Sequence, residues 1–434
     1  MRQVLDRILA AALAAVEPGR AVRNVVSLQN GLVHVGERSY RVADYQRALI
    51  VGAGKASAPM AAALEDVLGD ALPIEGAVTV RYGHAAPTRW VRIREAGHPM
   101  PDQAGVDATA EIVRLLEDAS ERDLVLCVIS GGGSALLTLP AEGLSLDDLR
   151  QTTDALLRSG ATITDFNIVR KHLDQVKGGG LARRAAPASL ITLVLSDVVG
   201  NPLDAIASGP TVPDTSTWAD ARAVFDRFAL WDQAPDVVAA RMRAELPETP
   251  KPGDPVFAGS QTVVVGSNLL ACLAAAAEAT AGGFSSHVLT TFVEGEAREA
   301  GRVLAAFLRE VDASANPLPR PCCLVAGGET TVTIRGKGKG GRNQELALSA
   351  AFALRGVPDI LLASIGTDGN DGPTDAAGAW VDGSTLSRAA ELGLDAEQAL
   401  RDNDSYTFFS ALGQLVKTGP TNTNVNDLYV LLAG

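Results

Sequence analysis

The sequence predicts an α/β protein of two domains, each with a sheet flanked by helices. Apolar runs of strand length, such as residues 124–129, alternate with alanine- and leucine-rich helical stretches along the chain. This alternation is typical of sheets that are largely parallel and buried on both faces. The length of 434 residues exceeds what one hydrophobic core usually supports. A proline- and glycine-rich stretch at residues 247–259 therefore predicts a linker between domains at 1–248 and 258–434.

The composition excludes several classes of protein. The formal net charge of −13 argues against a broad basic surface for nucleic acid. No apolar run is long enough to span a bilayer, and residues 2–16 predict an amphipathic first helix rather than a signal peptide. The four cysteines fit neither a disulfide framework nor zinc-ligand spacing, so a reducing, cytoplasmic location is expected.

The loop after the apolar run 124–129 is the first candidate site. Its residues are Ser130, Gly131, Gly132, Gly133 and Ser134. Consecutive glycines allow the backbone to approach a ligand, and their N–H groups favour a phosphate or a carboxylate. The alternative is a flexible turn without a ligand.

A second turn follows the predicted strand at residues 48–52. Gly52, Gly54 and Ser57 nearly match a dinucleotide fingerprint, although its third glycine is replaced by serine and no acidic residue ends the next strand. Lys55 in this turn is better explained as a cation directed at an anionic group, with a solvated surface lysine as the alternative. His98 lies in a proline-framed loop and could act as a base, but a structural role is more common for such a residue.

Two further candidates lie before the predicted linker. Asn167, Arg170 and Lys171 have spacings that place them on one face of a helix, either as a ligand-binding group or as a solvated basic surface. Asp197 follows a buried strand, where α/β sheets bind ligands, and is a candidate metal ligand or general base. Its alternative role is to cap the next turn.

The second domain contains a cationic glycine-rich loop at residues 335–345. Lys337, Lys339 and Arg342 precede an alanine-rich helix, so positive charge and a helix N-terminus would meet at one point suited to a polyphosphate. A disordered basic loop is the alternative. Asp368 and Asp371 lie in a second glycine-rich loop, which suggests contacts to a divalent metal or to sugar hydroxyls.

Taken together, these loops resemble one family, the type II glycerate kinases, whose carboxy-terminal part is called the MOFRL domain. The matching motifs run in order through nearly the whole chain: VGAGKA (51–56), GHPMPD (97–102), SGGGSALL (130–137), NIVRKH (167–172), KGGGLA (177–182), SDVVGNP (196–202), ASGPTVPD (207–214), GGETTV (327–332), GKGKGGRNQE (336–345), GTDGNDGPTDAAGA (366–379) and TGPTNTNVND (418–427). Where family members often carry arginines in the cationic loop, this sequence has Lys337 and Lys339, which keep the charge but lack the bidentate fork.

The resemblance implies a Rossmann-like amino-terminal domain, a second α/β domain with its MOFRL region at about 320–430, and an active site in the cleft between them. It implies ATP-dependent phosphorylation of D-glycerate on its 2-hydroxyl with Mg²⁺, and a homodimer is one expectation for the assembly. Lys55 and Arg342 match the family's essential lysine and arginine, and Asp197 would hold Mg²⁺ or receive the hydroxyl proton. The expected binding residues are Gly54, Ser130, Gly131, Gly132, Gly133, Ser134, Asn167, Arg170, Lys171, Glu329, Lys337, Lys339, Asn343, Asp368 and Asp371.

Two other functions stay open at this point. A nicotinamide-dependent hydroxypyruvate reductase would use the turn at residues 52–57, and relatives have carried that name. A non-catalytic regulator that binds sugar phosphates would also fit a two-domain α/β plan, but it leaves the many charged loops unexplained. The sequence lacks the Gly-x-x-x-x-Gly-Lys-[Ser/Thr] motif, so a kinase of this kind would not use a Walker-type loop.

Overall fold

The structure, a computed structural model, describes residues 1–244 and 246–434. They form two compact units. The amino-terminal unit comprises Pro18–Ser196 and Asn201–Val265, and the carboxy-terminal unit comprises Met1–Glu17, Asp197–Gly200 and Gly266–Gly434. This division differs from the predicted one, because the first helix packs within the carboxy-terminal unit and the predicted linker leads into a last strand of the first sheet.

The amino-terminal unit is built on a six-stranded sheet with the order β6-β5-β4-β7-β8-β9. Strands β4 to β8 run parallel, as predicted. A separate three-stranded antiparallel sheet precedes it. The strands are β1 (Val26–Gln29), β2 (Leu32–Val35), β3 (Arg38–Arg41), β4 (Arg47–Ala53), β5 (Ile74–Arg81), β6 (Val91–Ala96), β7 (Asp123–Ile129), β8 (Ser189–Leu195) and β9 (Gln261–Gly266).

Nine α-helices accompany these strands in the described part of the unit. They are α2 (Pro18–Val25), α3 (Ser57–Leu68), α4 (Gln103–Glu117), α5 (Gly133–Leu136), α6 (Leu146–Ser159), α7 (Ile163–Leu173), α8 (Gly180–Ala185), α9 (Trp218–Arg227) and α10 (Asp236–Arg243). Capping boxes begin α6 at Ser145 and α7 at Thr162. Apolar side chains of α6, α7, α9 and α10 form a core of their own, which holds α7 in place.

The carboxy-terminal unit contains a mixed six-stranded sheet with the order β10-β11-β15-β12-β13-β14. Only β10 and β11 pair in parallel among its described strands. The strands are β10 (Ser285–Glu296), β11 (Cys322–Thr331), β12 (Ile360–Gly366), β13 (Gly378–Asp382), β14 (Leu415–Val416) and β15 (Asp427–Ala433). The helices are α1 (Arg2–Ala15), α11 (Asn268–Ala281), α12 (Ala297–Ser314), α13 (Arg342–Ala353), α14 (Thr385–Glu391), α15 (Ala396–Arg401) and α16 (Ser405–Leu412).

Burial explains why the apolar runs form central strands. Every residue of β7, β12 and β15 is buried, which agrees with strands covered on both faces. Strand β11 continues through its two glycines to Thr331, because they allow close pairing with β10: a Cβ on Gly328 would meet the Val293 backbone. Glu329 therefore lies in a strand and not in a loop. No helix in the described ranges is long and apolar enough to cross a membrane.

Candidate active site

The glycine loop after β7 is joined to the turn after β4. The Ser130 hydroxyl accepts from the Ala56 N–H at 3.0 Å and meets the Ser57 hydroxyl at 3.1 Å, and the Lys55 N–H donates to the Gly131 carbonyl at 2.9 Å. Because β4 and β7 are parallel neighbours, these turns lie at the same edge of the sheet. A Cβ on Gly54 would lie 2.1 Å from the Ser130 hydroxyl oxygen, so glycine at 54 is required by the packing of the two loops.

The glycine loop retains free backbone donors. Within the described residues the N–H groups of Gly131 and Gly132 donate to no acceptor. Gly132 has a φ of +87°, a conformation that favours glycine. Two N–H groups without acceptors, next to a turn that carries Lys55, are the arrangement expected of an anion site.

Lys55 and His98 lie beside this loop. The Lys55 ammonium makes no hydrogen bond or ion pair with any described residue. His98 faces Gly132, where a Cβ would come within 2.9 Å of its ring. Burial, followed by the charges of Lys55 and Arg81, lowers the pKa of His98 to about 4. The sequence favoured a structural role for this histidine, but its surroundings place it beside the predicted anion site.

The three candidate residues on helix α7 make different contacts. Lys171 is 4% exposed and pairs with Asp214 at 3.3 Å and Asp204 at 3.4 Å, so its charge is already neutralised by the protein. Asn167 instead accepts from the Ser208 hydroxyl at 3.0 Å. Arg170 has no acidic partner within ion-pair distance in the described chain.

Ser208 is a residue that the sequence reasoning missed. Its hydroxyl joins Asn167 to Ser134, whose Oγ lies 3.1 Å away. Ala207 and Ser208 both have left-handed φ values, 51° and 61°, a conformation that costs roughly 1–2 kcal/mol for a residue with a Cβ. Such strain often occurs at functional sites. The signal in the sequence is the Ala-Ser-Gly-Pro turn at residues 207–210, which lies within one of the family motifs.

In the carboxy-terminal unit, Arg342 is the first residue of α13 and is held by two carboxylates. Its Nε lies 2.7 Å from Oδ2 of Asp427, and its Nη2 donates to Oδ1 at 3.0 Å. Its Nη1 donates to Glu329 at 2.7 Å. Burial opposes the charge, but Asp427 and Glu329 together raise the pKa of Arg342. The guanidinium is thus fixed and ionised at the start of a helix. Asp427 was not among the predicted residues, because its place at the start of a strand gave no sign of a partner 85 positions away.

The start of α13 is capped by Asp371. Its carboxylate accepts from the N–H of Asn343 at 3.0 Å and from that of Gln344 at 2.8 Å. Burial raises the pKa of Asp371 to about 6, although these two bonds favour the ionised form. The Asn343 amide also donates to Asp427 at 3.0 Å. These contacts fix the first turn of α13 and one oxygen of the Asp427 carboxylate.

The cationic loop before α13 is ordered by residues 402–405. Asn403 accepts from the N–H groups of Arg335 and Gly336, and the Asp404 carboxylate accepts from the Lys339 N–H. Cβ atoms on the loop glycines would meet this segment or Asp371. The loop is therefore ordered by its own contacts, and the binding of a polyphosphate there stays a prediction. Its lysine side chains remain exposed, and the Lys339 ammonium lies 4.4 Å from the Tyr406 ring centroid.

The aspartates of the acidic loop after β12 have different partners. Asp368 closes a turn by accepting from the Asn370 N–H at 3.0 Å. Asp375 pairs with Lys417, and the Tyr406 hydroxyl and Lys417 lower its pKa to about 2. No three His, Cys, Asp or Glu side chains converge on a metal position in the described ranges. A cation here would depend on one or two carboxylates together with oxygens of a substrate.

Asp197 follows β8 and belongs to the carboxy-terminal unit. Its main-chain oxygen accepts from the Asn426 amide at 2.7 Å, and the same amide donates to Glu329 at 2.8 Å. Asn426 thereby links the segment of Asp197 to a carboxylate that holds Arg342. Its own Oδ1 is buried without a hydrogen-bond partner in the described structure.

Comparison with known proteins assigns the chain to a family. The DUF4147 model, described as a domain of unknown function, matches residues 4–243, and the MOFRL family model matches residues 322–427. The D-glycerate 2-kinase of Thermotoga maritima is 43% identical over 99% of this chain and 98% of the relative. A protein of Agrobacterium vitis, provisionally named a hydroxypyruvate reductase, is 43% identical over 100% of this chain and 94% of its own length.

A solved structure agrees with this assignment. The crystal structure of glycerate kinase from Thermotoga maritima matches with a TM-score of 0.90 and 42% identity, and the match covers 100% of this chain and 99% of that one. The predicted resemblance is confirmed over the full length. The chain therefore belongs to the family of glycerate kinases that carry the DUF4147 and MOFRL regions.

Proposed function

We propose that this protein is an ATP-dependent kinase that phosphorylates the 2-hydroxyl of D-glycerate and releases 2-phosphoglycerate and ADP. Family membership supports the reaction class. The observation that carries the proposal is the fixed Arg342 guanidinium at the N-terminus of α13, bound to Asp427 and Glu329. Phosphoryl transfer requires mainly positioning and the cancellation of negative charge, and a preorganised arginine supplies both.

In this proposal Arg342 stabilises charge on the transferred phosphoryl group. Its contact with Glu329 uses an exposed carboxylate, whereas Asp427 is fully buried. A phosphoryl oxygen would replace Glu329 on Nη1 while Asp427 keeps the guanidinium in place. Lys337 and Lys339 would add positive potential as point charges without a bidentate contact.

The amino-terminal unit has its own set of proposed anion-binding groups. The Gly131 and Gly132 N–H groups, together with Gly133 and Ser134 at the start of α5, line the loop beside Lys55. Gly54 and Ser130 hold this arrangement together. We assign Lys55 to an anionic oxygen of a substrate because no described carboxylate neutralises it.

Asp197 is proposed to receive the hydroxyl proton or to hold Mg²⁺. Magnesium usually takes one or two carboxylates and completes its coordination with waters and phosphate oxygens, so Asp197 suits it without an all-protein cage. When bound, Mg²⁺ would supply positive charge to the phosphates of ATP. Asp368, which is partly exposed in its loop, is a further proposed contact.

The reductase alternative loses its sequence support. A Cβ on Gly52 would lie 2.0 Å from the Val128 carbonyl oxygen, so this glycine serves the packing of β4 on β7. Ser57, at the third position of the fingerprint, bonds to Val128 and Ser130. The turn is explained by its own packing, and no feature of it requires a nicotinamide cofactor.

The test is ADP release from purified protein with ATP, Mg²⁺ and D-glycerate, coupled to enolase to identify the product. ADP together with an enolase signal is expected. Arg342→Ala should reduce turnover by several powers of ten while the circular dichroism spectrum persists, and its Tm should fall because the buried Asp427 loses its cation. Exposed Arg302→Ala should change neither turnover nor Tm. ADP without the enolase signal would place the phosphate on another hydroxyl. Absence of ADP, or a normal rate for Arg342→Ala, would contradict the proposal.

The location is also a proposal. All four cysteines are free and buried, at positions 127, 272, 322 and 323. Burial raises the pKa of Cys127, Cys272 and Cys323 to about 12, so these thiols are poor nucleophiles. This use of cysteine as a small apolar residue supports a reducing compartment such as the cytoplasm.

A further inference from the structure

Arg170 is a cation that the protein does not neutralise. Its guanidinium lies 5.0 Å from the centroid of the Phe166 ring, and no described residue forms a hydrogen bond or an ion pair with it. The Arg170 side chain is partly buried, and this burial lowers the pKa of Arg170. A desolvated guanidinium without a partner is unfavourable, so its retention points to an anion that is supplied from outside.

The nearest acid is already engaged. Asp174 lies 3.3 Å from the Lys177 ammonium and also accepts from the N–H groups of Leu139 and Val176. Lys177 donates in addition to the Leu137 carbonyl at 2.6 Å. This buried pair is neutral in sum, and the Arg170 charge remains in excess.

On the face of α7 that Arg170 shares with Asn167, the polar groups are donors or neutral hydroxyls. Asn167, one turn earlier on α7, uses its Oδ1 to accept from Ser208, and its Nδ2 has no acceptor in the described chain. Ser208 and Ser134 are hydrogen-bonded to each other beside it. One carboxylate matches these groups better than a polyphosphate does. Arg170 offers a single surplus positive charge on a planar fork, and Asn167 offers a side-chain amide.

We propose that Arg170 binds the carboxylate of the hydroxy-acid substrate and makes the site specific for acids over neutral polyols. This inference rests on the proposed function and assigns one substrate group to one side chain. Asn167 would donate to the same carboxylate, and Ser208 would orient Asn167 by occupying its Oδ1. Lys171, the neighbouring cation, is excluded from this role by its two carboxylate partners.

Binding without ATP tests the inference separately from turnover. D-glycerate should raise the Tm of the wild-type protein, and Arg170→Gln should abolish that shift, while neutral glyceramide shifts the Tm of neither. Arg170→Lys should restore only part of the Tm shift, because an ammonium keeps the positive charge but lacks the bidentate fork of a guanidinium. The control is Arg158→Gln, which replaces an arginine that is 76% exposed and forms an ion pair with Asp154 one turn earlier.

Steady-state kinetics supply the second readout. Arg170→Gln should raise KM for D-glycerate by about 10- to 100-fold and leave KM for ATP unchanged, as expected for the loss of a charged hydrogen bond. If Arg170→Gln instead raises KM for ATP and keeps the full Tm shift with D-glycerate, Arg170 binds a phosphate of ATP and the assignment is wrong. A lower ligand-free Tm for Arg170→Gln with a full glycerate shift would reduce Arg170 to a structural residue. If D-glycerate raises the Tm but no ADP is released, the proposed kinase function is wrong. The Tm comparison of wild type and Arg170→Gln would then still test whether Arg170 binds the carboxylate.

Discussion

The Arg342 guanidinium meets both carboxylate oxygens of Asp427, with Nε 2.7 Å from Oδ2 and Nη2 3.0 Å from Oδ1. Asp427 is fully buried, whereas Arg342 is 32% exposed. A bidentate contact of this kind fixes the plane of a guanidinium as well as its position. Asp427 is therefore the positioning partner of Arg342, and this pair yields the first prediction.

Asp427→Asn should reduce kcat by about 100-fold with little change in KM, because the guanidinium loses the ionised partner that fixes it. Burial raises the pKa of Asp427 to about 7. Below that pH the Asp427 carboxyl is protonated, which weakens its contact with Arg342. The wild-type rate should therefore fall as the pH drops through 7, and the rate of the Asp427→Asn variant should not show this decrease. Asp375→Asn, which removes an exposed carboxylate of the same unit, is the control. A folded Asp427→Asn variant with the wild-type rate would refute the positioning role.

Gly341→Ala should damage both stability and turnover. The new Cβ would lie 2.3 Å from the Asp371 carboxylate carbon and 2.4 Å from its carbonyl carbon, so the cap of α13 must move. We expect a loss of about 1–3 kcal/mol in the free energy of unfolding, measured by urea denaturation. Gly259→Ala is the matched control, since no atom lies within 4 Å of its Cβ position and its φ is not left-handed. Equal stability of the two variants would count against the clash.

Lys171 and Lys55 should respond in opposite ways to replacement by methionine. Lys171→Met leaves the fully buried Asp214 without its cation, which should cost about 3–5 kcal/mol of stability. Lys55→Met removes an unpaired charge and should change stability by less than about 0.5 kcal/mol, while kcat/KM falls steeply. Denaturant titration and ADP release on both variants provide the comparison. A large stability loss for Lys55→Met would show that Lys55 is structural.

His98 should make stability depend on pH. Burial and the charges of Lys55 and Arg81 lower its pKa to about 4, below the usual 6.5. Between these values the unfolded chain binds a proton that the native state does not, so the free energy of unfolding should fall as the pH is lowered from about 7 to about 4. His98→Gln should show a smaller decrease between pH 7 and pH 5 in urea titrations. An identical slope in both proteins would contradict the depressed pKa.

Much of the fold was predictable from local patterns. Buried strands such as β4 and β7 appear as short apolar runs, and the capping box at Ser145 sets the start of α6, because these signals depend on neighbours within a few residues. The extension of β11 through Glu329 was not predictable, since it depends on pairing with β10 and β15. The place of the first helix in the carboxy-terminal unit is likewise a matter of long-range packing.

The sequence by itself determined the α/β class, the glycine loops, the motifs of the family and the identity of Lys55 and Arg342 as candidate residues. Only the tertiary structure decided what each charge does. Lys171 is neutralised by Asp214, 43 positions away, while Arg170 beside it has no partner in the described chain. The physical reason is that the free energy of a charge depends on its partners and its burial, and both come from segments that are distant along the chain.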